Sequence, residues 1–208
     1  MQIQLALDRL SKEDCIHIID ETKNFIDIVE IGTGMIKKYG ISIIQEMKEA
    51  SSNLPILADM KTCDDGKNEA ILAFCSGADL MTVMGFAANK TIIDTLSVAE
   101  KYGKRVMIDL LGIQSRERVE ELKVLGCDLF CIHLGKDMQQ VRNINFRNFL
   151  KLVEGIESIE VAIAGGIDAI LANEMKNYPI DILIVGSSIT LSENPKLASE
   201  KIKNIVAN

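Results

Sequence analysis

The stretch that decides the fold runs from residue 56 to residue 84 and reads ILADMKTCDDGKNEAILAFCSGADLMTVM. It contains the apolar run Ile56–Met60, the amphipathic segment Lys67–Ser76, then Gly77 and a second apolar run, Leu80–Met84. Such short apolar runs are typical of strands rather than helices, and a glycine supplies the left-handed conformation that ends many helices. The stretch therefore predicts a strand, a helix and a second strand, the unit from which parallel sheets are built.

The same alternation extends along the whole chain of 208 residues. Strands are predicted at Ile3–Leu7, Ile28–Ile31, Ile56–Met60, Leu80–Met84, Val106–Leu110, Leu129–Ile132, Val161–Ala164 and Ile182–Val185. Helices are predicted at Ser11–Lys23, Ile41–Ala50, Lys67–Ser76, Asn89–Tyr102, Ser115–Leu125, Phe146–Ile156, Ala169–Asn177 and Pro195–Val206. Eight such units predict a single domain, residues 1–208, that closes into a (β/α)8 barrel. A doubly wound open sheet is the alternative, but no G-x-G-x-x-G follows the first strand.

The composition excludes several classes of protein. A net charge of −7 argues against nucleic acid as a partner, because phosphate backbones require basic patches. The N-terminal MQIQLALD does not resemble a signal peptide, and no apolar run is long enough to span a bilayer. The five cysteines include no C-x-x-C pair, which disfavours a disulfide framework or a thiolate zinc site. We therefore expect a cytoplasmic protein that does not contact membranes.

Ionisable residues end five of the eight predicted strands, where the loops of a barrel carry its chemistry. A carboxylate buried without a partner is costly, so these groups need a metal, a cation or a ligand. The alternative is an internal salt-bridge network near the barrel mouth. The residues concerned are Asp8, Glu30, Asp59, Lys61, Asp109 and His133.

The third strand end carries the densest motif, Asp59-x-Lys61-x-x-Asp64. Asp59 and Lys61 are two residues apart on a strand and point to the same face, where Lys61 could stabilise a developing oxyanion. Glu30 and Asp59 end adjacent strands and form a plausible pair of oxygen ligands for Mg2+. The role of Cys63, inside this motif, stays open.

Glycines follow the last two strands, at Gly165, Gly166 and Gly186, with Ser187 next. Loops at these positions often bind phosphate through backbone N–H groups, although ordinary tight turns are the alternative. His133, at the end of the sixth strand, is a candidate general acid or base. A structural histidine is the alternative there.

Six motifs together resemble the orotidine 5′-phosphate decarboxylase suprafamily: LALD at 5–8, EIGT at 30–33, ADMKTCDDG at 58–66, HLGKDMQ at 133–139, AGGI at 164–167 and IVGSSIT at 184–190. The resemblance implies a homodimeric, Mg2+-dependent barrel that forms an enediolate from a sugar phosphate. It also implies that Asp8 and Asp64 orient Lys61 and the substrate hydroxyls, with Asp64 reaching across the dimer interface. Glu30 distinguishes the chain from orotidine decarboxylases, which work without a metal.

Two branches of the suprafamily compete. Asp109, Ala164, Ser187 and the pattern H-x-G-x-D at 133–137 resemble 3-hexulose-6-phosphate synthases, which join formaldehyde to D-ribulose 5-phosphate to give D-arabino-3-hexulose 6-phosphate. Lys136 instead matches a basic residue of 3-keto-L-gulonate-6-phosphate decarboxylases. The synthase activity, with Asp109 in the catalytic set, is the main prediction. Decarboxylation and a non-catalytic sugar-phosphate sensor are the alternatives.

Overall fold

The computed structural model describes residues 1–51, 53–140 and 146–207 and contains a closed barrel of eight parallel strands. Each strand pairs with the next, and the last pairs with the first through Gln2 and Ile182. The predicted (β/α)8 barrel is thereby confirmed. The strands are β1 (Gln2–Leu7), β2 (Ile28–Ile31), β3 (Ile56–Thr62), β4 (Leu80–Met84), β5 (Arg105–Asp109), β6 (Leu129–His133), β7 (Glu160–Ala164) and β8 (Ile182–Val185).

Helices cover the outside of the barrel between the strands. They are α1 (Lys12–Thr22), α2 (Thr33–Tyr39), α3 (Ile43–Ala50), α4 (Gly66–Cys75), α5 (Asn89–Tyr102), α6 (Arg116–Val124), α7 (Phe146–Leu150), α8 (Ala169–Met175), α9 (Ser187–Thr190) and α10 (Pro195–Ala207), with a 3-10 turn at Met138–Gln140. Ser11 caps α1 by accepting a hydrogen bond from the backbone N–H of Asp14, as the sequence predicts.

Three helices differ from the prediction. The short helices α2 and α9 were not predicted, and each buries only one residue, Met35 and Ile189 respectively, so neither carries an apolar stripe. The helix predicted to reach Ile156 ends at Leu150. Beyond it the backbone N–H of Leu152 donates to the Phe149 carbonyl, the tighter i to i+3 pattern that buries the same apolar residues.

Two layers of apolar side chains form the core. One lies between the strands and the helices and includes Ile3, Leu5 and Leu7 of β1. The other consists of residues that alternate with the first along the strands and therefore point into the barrel. Its members are Ile28, Leu57, Leu80, Met107, Leu129, Cys131, Ala162, Ala164, Ile182 and Ile184. Gln4 is buried among these strands although it is polar.

An aspartate precedes each even-numbered strand at the closed, N-terminal end of the barrel. Three of them repeat one arrangement of two hydrogen bonds to a single residue on the preceding strand. The backbone N–H of the Asp donates to the carbonyl of that residue, and the Asp carboxylate accepts its backbone N–H. The pairs are Asp27 with Ile3, Asp79 with Ile56 and Asp181 with Val161. The fourth, Asp128, instead lies 3.4 Å from the Arg105 guanidinium. These contacts fix how adjacent strands are staggered at their first residues.

Candidate active site

A cavity of about 690 Å3 opens at the C-terminal end of the barrel. All the predicted site residues except Asp64 line it, which places them together as the barrel topology requires. They are Asp8, Glu30, Asp59, Lys61, Asp109, His133, Gly165, Gly166, Gly186 and Ser187. Lys136 also lines this cavity.

Lys61 lies at the centre of the charged cluster. Its Nζ is 2.5 Å from Asp109 Oδ2 and 3.3 Å from Asp59 Oδ1. The end of β3 bulges, since the pairing register with β4 shifts after Ala58 and Lys61 has a left-handed φ of 48°. The Lys61 N–H donates to Thr82 Oγ1 on β4, which holds this irregular backbone in place. Asp59 and Lys61 thus reach the same side, as predicted, although the strand between them is not regular.

The cluster fixes the protonation states of Lys61 and Asp109. Burial by itself would lower the pKa of Lys61, but the carboxylates of Asp59 and Asp109 outweigh it and raise that pKa well above its ordinary value. Burial would raise the pKa of Asp109, yet hydrogen bonds and charge from His133 and Lys61 lower it to about 2. Lys61 therefore remains an ammonium and Asp109 a carboxylate at neutral pH.

His133 is oriented by the same carboxylate. Its Nδ1 lies 2.9 Å from Asp109 Oδ2, while Asp109 Oδ1 accepts the backbone N–H of Leu111 at 2.8 Å. A carboxylate at Nδ1 favours the tautomer that has its proton there. The other ring nitrogen, Nε2, then carries the lone pair, as a general base requires.

Glu30 is a carboxyl group that forms no ion pair with the residues that the structure describes, although the charge of Lys61 acts on it. Burial, together with the nearby charge of Asp59, raises its pKa to about 8, although a 2.6 Å hydrogen bond from Gln4 Nε2 opposes this. Glu30, Asp59 and Asp109 face one ammonium, that of Lys61, so with Glu30 ionised and His133 neutral the cluster has an excess of two negative charges. This donor set suits a divalent cation held by Glu30 and Asp59. Among the described residues, no group of three or more His, Cys, Asp or Glu side chains is arranged to hold a metal ion.

Two threonines hold the other carboxylate of this pair. Thr33 Oγ1 donates to Asp59 Oδ2 at 2.7 Å, and Thr82 Oγ1 donates to Asp59 Oδ1 at 2.8 Å. The roles of Thr82 and Gln4 were not predicted, because both residues lie inside strands and the predicted site residues were those at the strand ends. Both are polar residues inside apolar runs, and this is the signal that could have found them.

The two glycine loops, after β7 and β8, lie next to each other at the cavity. Gly165 and Gly166 have left-handed φ values of 110° and 69°, and a Cβ on Gly165 would lie 2.3 Å from the Leu134 carbonyl oxygen, so only glycine fits there. Ser188 Oγ donates to the Ile167 carbonyl at 2.7 Å and joins the two loops. Gly186 and Ser187 thus lie beside Gly165 and Gly166 as one backbone-lined surface.

Asp8 and Asp64 make no described contact with Lys61 within one chain, so their orienting role stays a prediction. Asp8 Oδ2 lies 3.4 Å from Arg9 Nε, and the Asp8 side chain packs beside Gly34. Asp64 is exposed and lies outside the cavity lining. Within one chain, Lys61 takes its orientation from Asp59 and Asp109. Cys63 is likewise exposed and outside the cavity.

The barrel and its polar mouth define the class of protein, a (β/α)8-barrel enzyme. The chain belongs to the orotidine 5′-phosphate decarboxylase / HUMPS family, whose sequence profile matches residues 1–202. The 3-hexulose-6-phosphate synthase of Bacillus subtilis is 33% identical over 207 residues, which cover 99% of both chains. None of the described helices has the length and apolar character that a bilayer span needs.

Two solved structures share the fold of this chain. A crystal structure of 3-hexulose-6-phosphate synthase from Salmonella typhimurium matches with a TM-score of 0.96 and 30% identity, covering 100% of this chain and 99% of that one. The 3-keto-L-gulonate-6-phosphate decarboxylase of Vibrio cholerae, 22% identical over 99% of this chain and 97% of its own, matches with a TM-score of 0.85 and shows the fold alone.

The raised pKa of Glu30 predicts how stability depends on pH. The folded protein holds this proton up to about pH 8, whereas the ordinary pKa of a glutamate is 4.5, so between these values the proton binds the folded state more tightly than the unfolded state. In the presence of chelator, stability should therefore fall across this window as the pH rises. Glu30→Gln cannot ionise and should remove this part of the decline. We expect the melting temperature of the variant minus that of the wild type to increase with pH in thermal unfolding. A difference in melting temperature that does not change with pH would contradict a raised pKa for Glu30.

Proposed function

We propose that this protein is an aldolase of the 3-hexulose-6-phosphate synthase type, which joins formaldehyde to D-ribulose 5-phosphate. The full-length similarity to synthases supports a carbon–carbon lyase, and Asp109, Ala164 and Ser187 favour the synthase branch. The observation that carries the proposal is the Asp109–His133 pair beside a permanently charged Lys61 at the cavity. Enediolate formation requires a base that removes a proton from the carbon next to a carbonyl group and a cation that stabilises the negative oxygen.

The residues divide the chemistry among them. His133 Nε2 takes a proton from C1 of the sugar phosphate, and the carboxylate of Asp109 stabilises the imidazolium that results. The C1–H electron pair forms the enediolate with C2, and Lys61 stabilises the negative oxygen. C1 then attacks the carbon of formaldehyde, whose oxygen takes up the proton held by the His133 imidazolium, giving D-arabino-3-hexulose 6-phosphate and neutral His133. Lys61 is not a Schiff-base lysine, because its raised pKa keeps it from being nucleophilic.

Glu30 and Asp59 would hold Mg2+ in this proposal. Their unbalanced charge and the neutral donors around them fit such an ion. A bound Mg2+ supplies a Lewis acid that makes the C1 proton of the substrate more acidic.

The phosphate would bind at Gly165, Gly166, Gly186 and Ser187. All four residues line the cavity, and glycine loops of this kind can offer backbone N–H groups to a phosphate. Arg9, Lys37 and Lys136 line the same cavity and would attract an anionic substrate into a protein with a net charge of −7.

A homodimer with the active site at the interface would give Asp64 a role. Asp64 is exposed on the loop between β3 and α4, and large apolar side chains are exposed on the neighbouring α4 and α5. They are Leu72, at 52% exposure, Ile93 at 44% and Tyr102 at 40%, with Phe86 at 58% just before α5. A second copy packed on this surface would cover them and bring its Asp64 towards the cavity of the first.

Lys136 favours one rival activity, the decarboxylation of 3-keto-L-gulonate 6-phosphate, because a basic residue at the cavity suits its carboxylate. A non-catalytic sugar-phosphate sensor is the second rival.

Paired assays separate the synthase, the decarboxylase and the sensor. We expect formaldehyde to be consumed with D-ribulose 5-phosphate but not with D-ribulose, to cease in chelator and to return with Mg2+. Release of CO2 from the keto-gulonate phosphate without formaldehyde consumption would indicate the decarboxylase. Tight substrate binding without either reaction would indicate the sensor, and full synthase activity in metal-free protein would contradict the Mg2+ requirement.

The role of His133 can be tested without formaldehyde. The wild type should exchange the C1 proton of D-ribulose 5-phosphate with solvent deuterium, a reaction that NMR follows. His133→Asn should lose this exchange by about 10²–10⁴-fold, the usual contribution of a general base. Mg2+ binding should persist in this variant, since Glu30 and Asp59 remain. Exchange at the wild-type rate would assign the base to another group.

Subunit mixing tests the shared active site. After Asp64→Asn and Lys61→Ala chains are unfolded and refolded together, half of the dimers are mixed, and each mixed dimer has one intact site. Activity should therefore recover to about a quarter of the wild-type value. The matched control mixes Lys61→Ala with His133→Asn, two residues that contact each other within one chain, and should recover none. A monomer in sedimentation, or no recovery in the first mixture, would refute the interface role of Asp64.

A further inference from the structure

One polar side chain interrupts the apolar interior beneath the cavity. Gln4 is fully buried on β1, and its neighbours in the sheet are Ile28 on β2 and Ile184 on β8. Its Nε2 donates to Glu30 Oε2 at 2.6 Å, whereas its Oε1 is a buried acceptor without a hydrogen-bond partner in the described chain. An aliphatic side chain, as at both neighbours, would avoid this unpaired acceptor. The amide is therefore costly for packing, and what it adds is the bond to Glu30.

The strand register explains how the two side chains meet. Glu30 pairs with Ala6 on β1, and Gln4 is the next inward-facing residue below Ala6. Because Ala6 ends at Cβ, the space beside Glu30 is open on the β1 side. The longer Gln4 side chain enters this space from below.

This contact leaves one oxygen of Glu30 for a ligand. Oε2 accepts the Gln4 amide, but Oε1 accepts no hydrogen bond from the described residues. Oε1 is also not among the buried unpartnered atoms, and Glu30 lines the cavity, so Oε1 is the oxygen that reaches it. The second carboxylate is held in a comparable way, because Thr33 and Thr82 donate to Asp59. Neutral donors thus orient both carboxylates, and the one nearby ammonium, that of Lys61, is shared between Asp59 and Asp109.

We propose that Gln4 is a positioning residue, whose amide holds Glu30 Oε2 so that Oε1 faces the cavity and binds a divalent cation. The inference rests on the proposed function, in which Glu30 and Asp59 hold Mg2+. Gln4 itself touches neither the cation nor the substrate. Hydrogen bonds of this kind orient metal-binding carboxylates, and their loss commonly weakens metal affinity about 10–100-fold.

Mn2+ binding to the full chain, followed by electron paramagnetic resonance and calorimetry, tests this role. Gln4→Met keeps the side-chain length and burial but removes the donor. We expect its Kd for Mn2+ to rise at least about 10-fold. Its melting temperature in chelator should not fall further than that of the control Leu129→Met, since the unpaired acceptor is also removed. Leu129 is fully buried in the same interior layer on β6, and it does not line the cavity. Gln4→Asn, which keeps an amide but cannot reach Glu30, should lose affinity to a similar extent.

The outcomes separate this inference from the proposed function. Wild-type Mn2+ affinity in folded Gln4→Met and Gln4→Asn would overturn the positioning role and leave the metal site intact. An equal loss in Leu129→Met would also overturn it, because the effect would then be general to the core. Failure of the wild type to bind Mn2+ would refute the proposed metal pair, and the inference with it.

Discussion

The mouth of the barrel depends on the placement of one ammonium group between two carboxylates. Lys61 Nζ contacts Asp109 and Asp59, and the bulge at the end of β3 directs it there. Because Asp109 also bonds His133, one carboxylate both keeps Lys61 charged and sets the tautomer of the histidine. Lys61 therefore stays protonated and cannot act as the base. The ammonium of Lys61 and the imidazole of His133 keep separate roles.

The two ends of the barrel differ in the groups that hold their carboxylates. At the closed end the partly buried aspartates pair with cations, Asp27 with Lys203 and Asp79 with both Lys48 and Lys104. At the open end the three carboxylates share one ammonium, that of Lys61. Glu30 and Asp59 are held mainly by an amide and by hydroxyls, which orient charge without cancelling it. The remaining negative charge is the feature that distinguishes a binding site from a structural salt-bridge network.

The fold and most of the site could be predicted because the apolar runs have the length of strands and a barrel brings all strand ends to one face. The strands β2, β4 and β8 match the predicted bounds. The helices α2 and α9 could not be predicted, since each buries one residue and has no periodic apolar face. Gln4 and Thr82 were missed because their importance depends on which neighbouring strand they face, and this is a property of register rather than of local sequence. The distance between Asp64 and Lys61 likewise depends on a loop, whose path local sequence does not determine.

The aspartates at the closed end divide the chain into four units, each with two strands and the helices that follow them. In three of the four units the same residue makes the same two backbone bonds across the first strand pair, and the fourth unit uses a side-chain bond to arginine instead. The closed end is thus periodic along the chain, whereas the open end has a different residue set in every unit. A barrel whose stagger is set by a repeated element at one rim can change the residues of the other rim independently. The geometry of the scaffold and the chemistry of the enzyme are in this sense encoded by separate sets of positions.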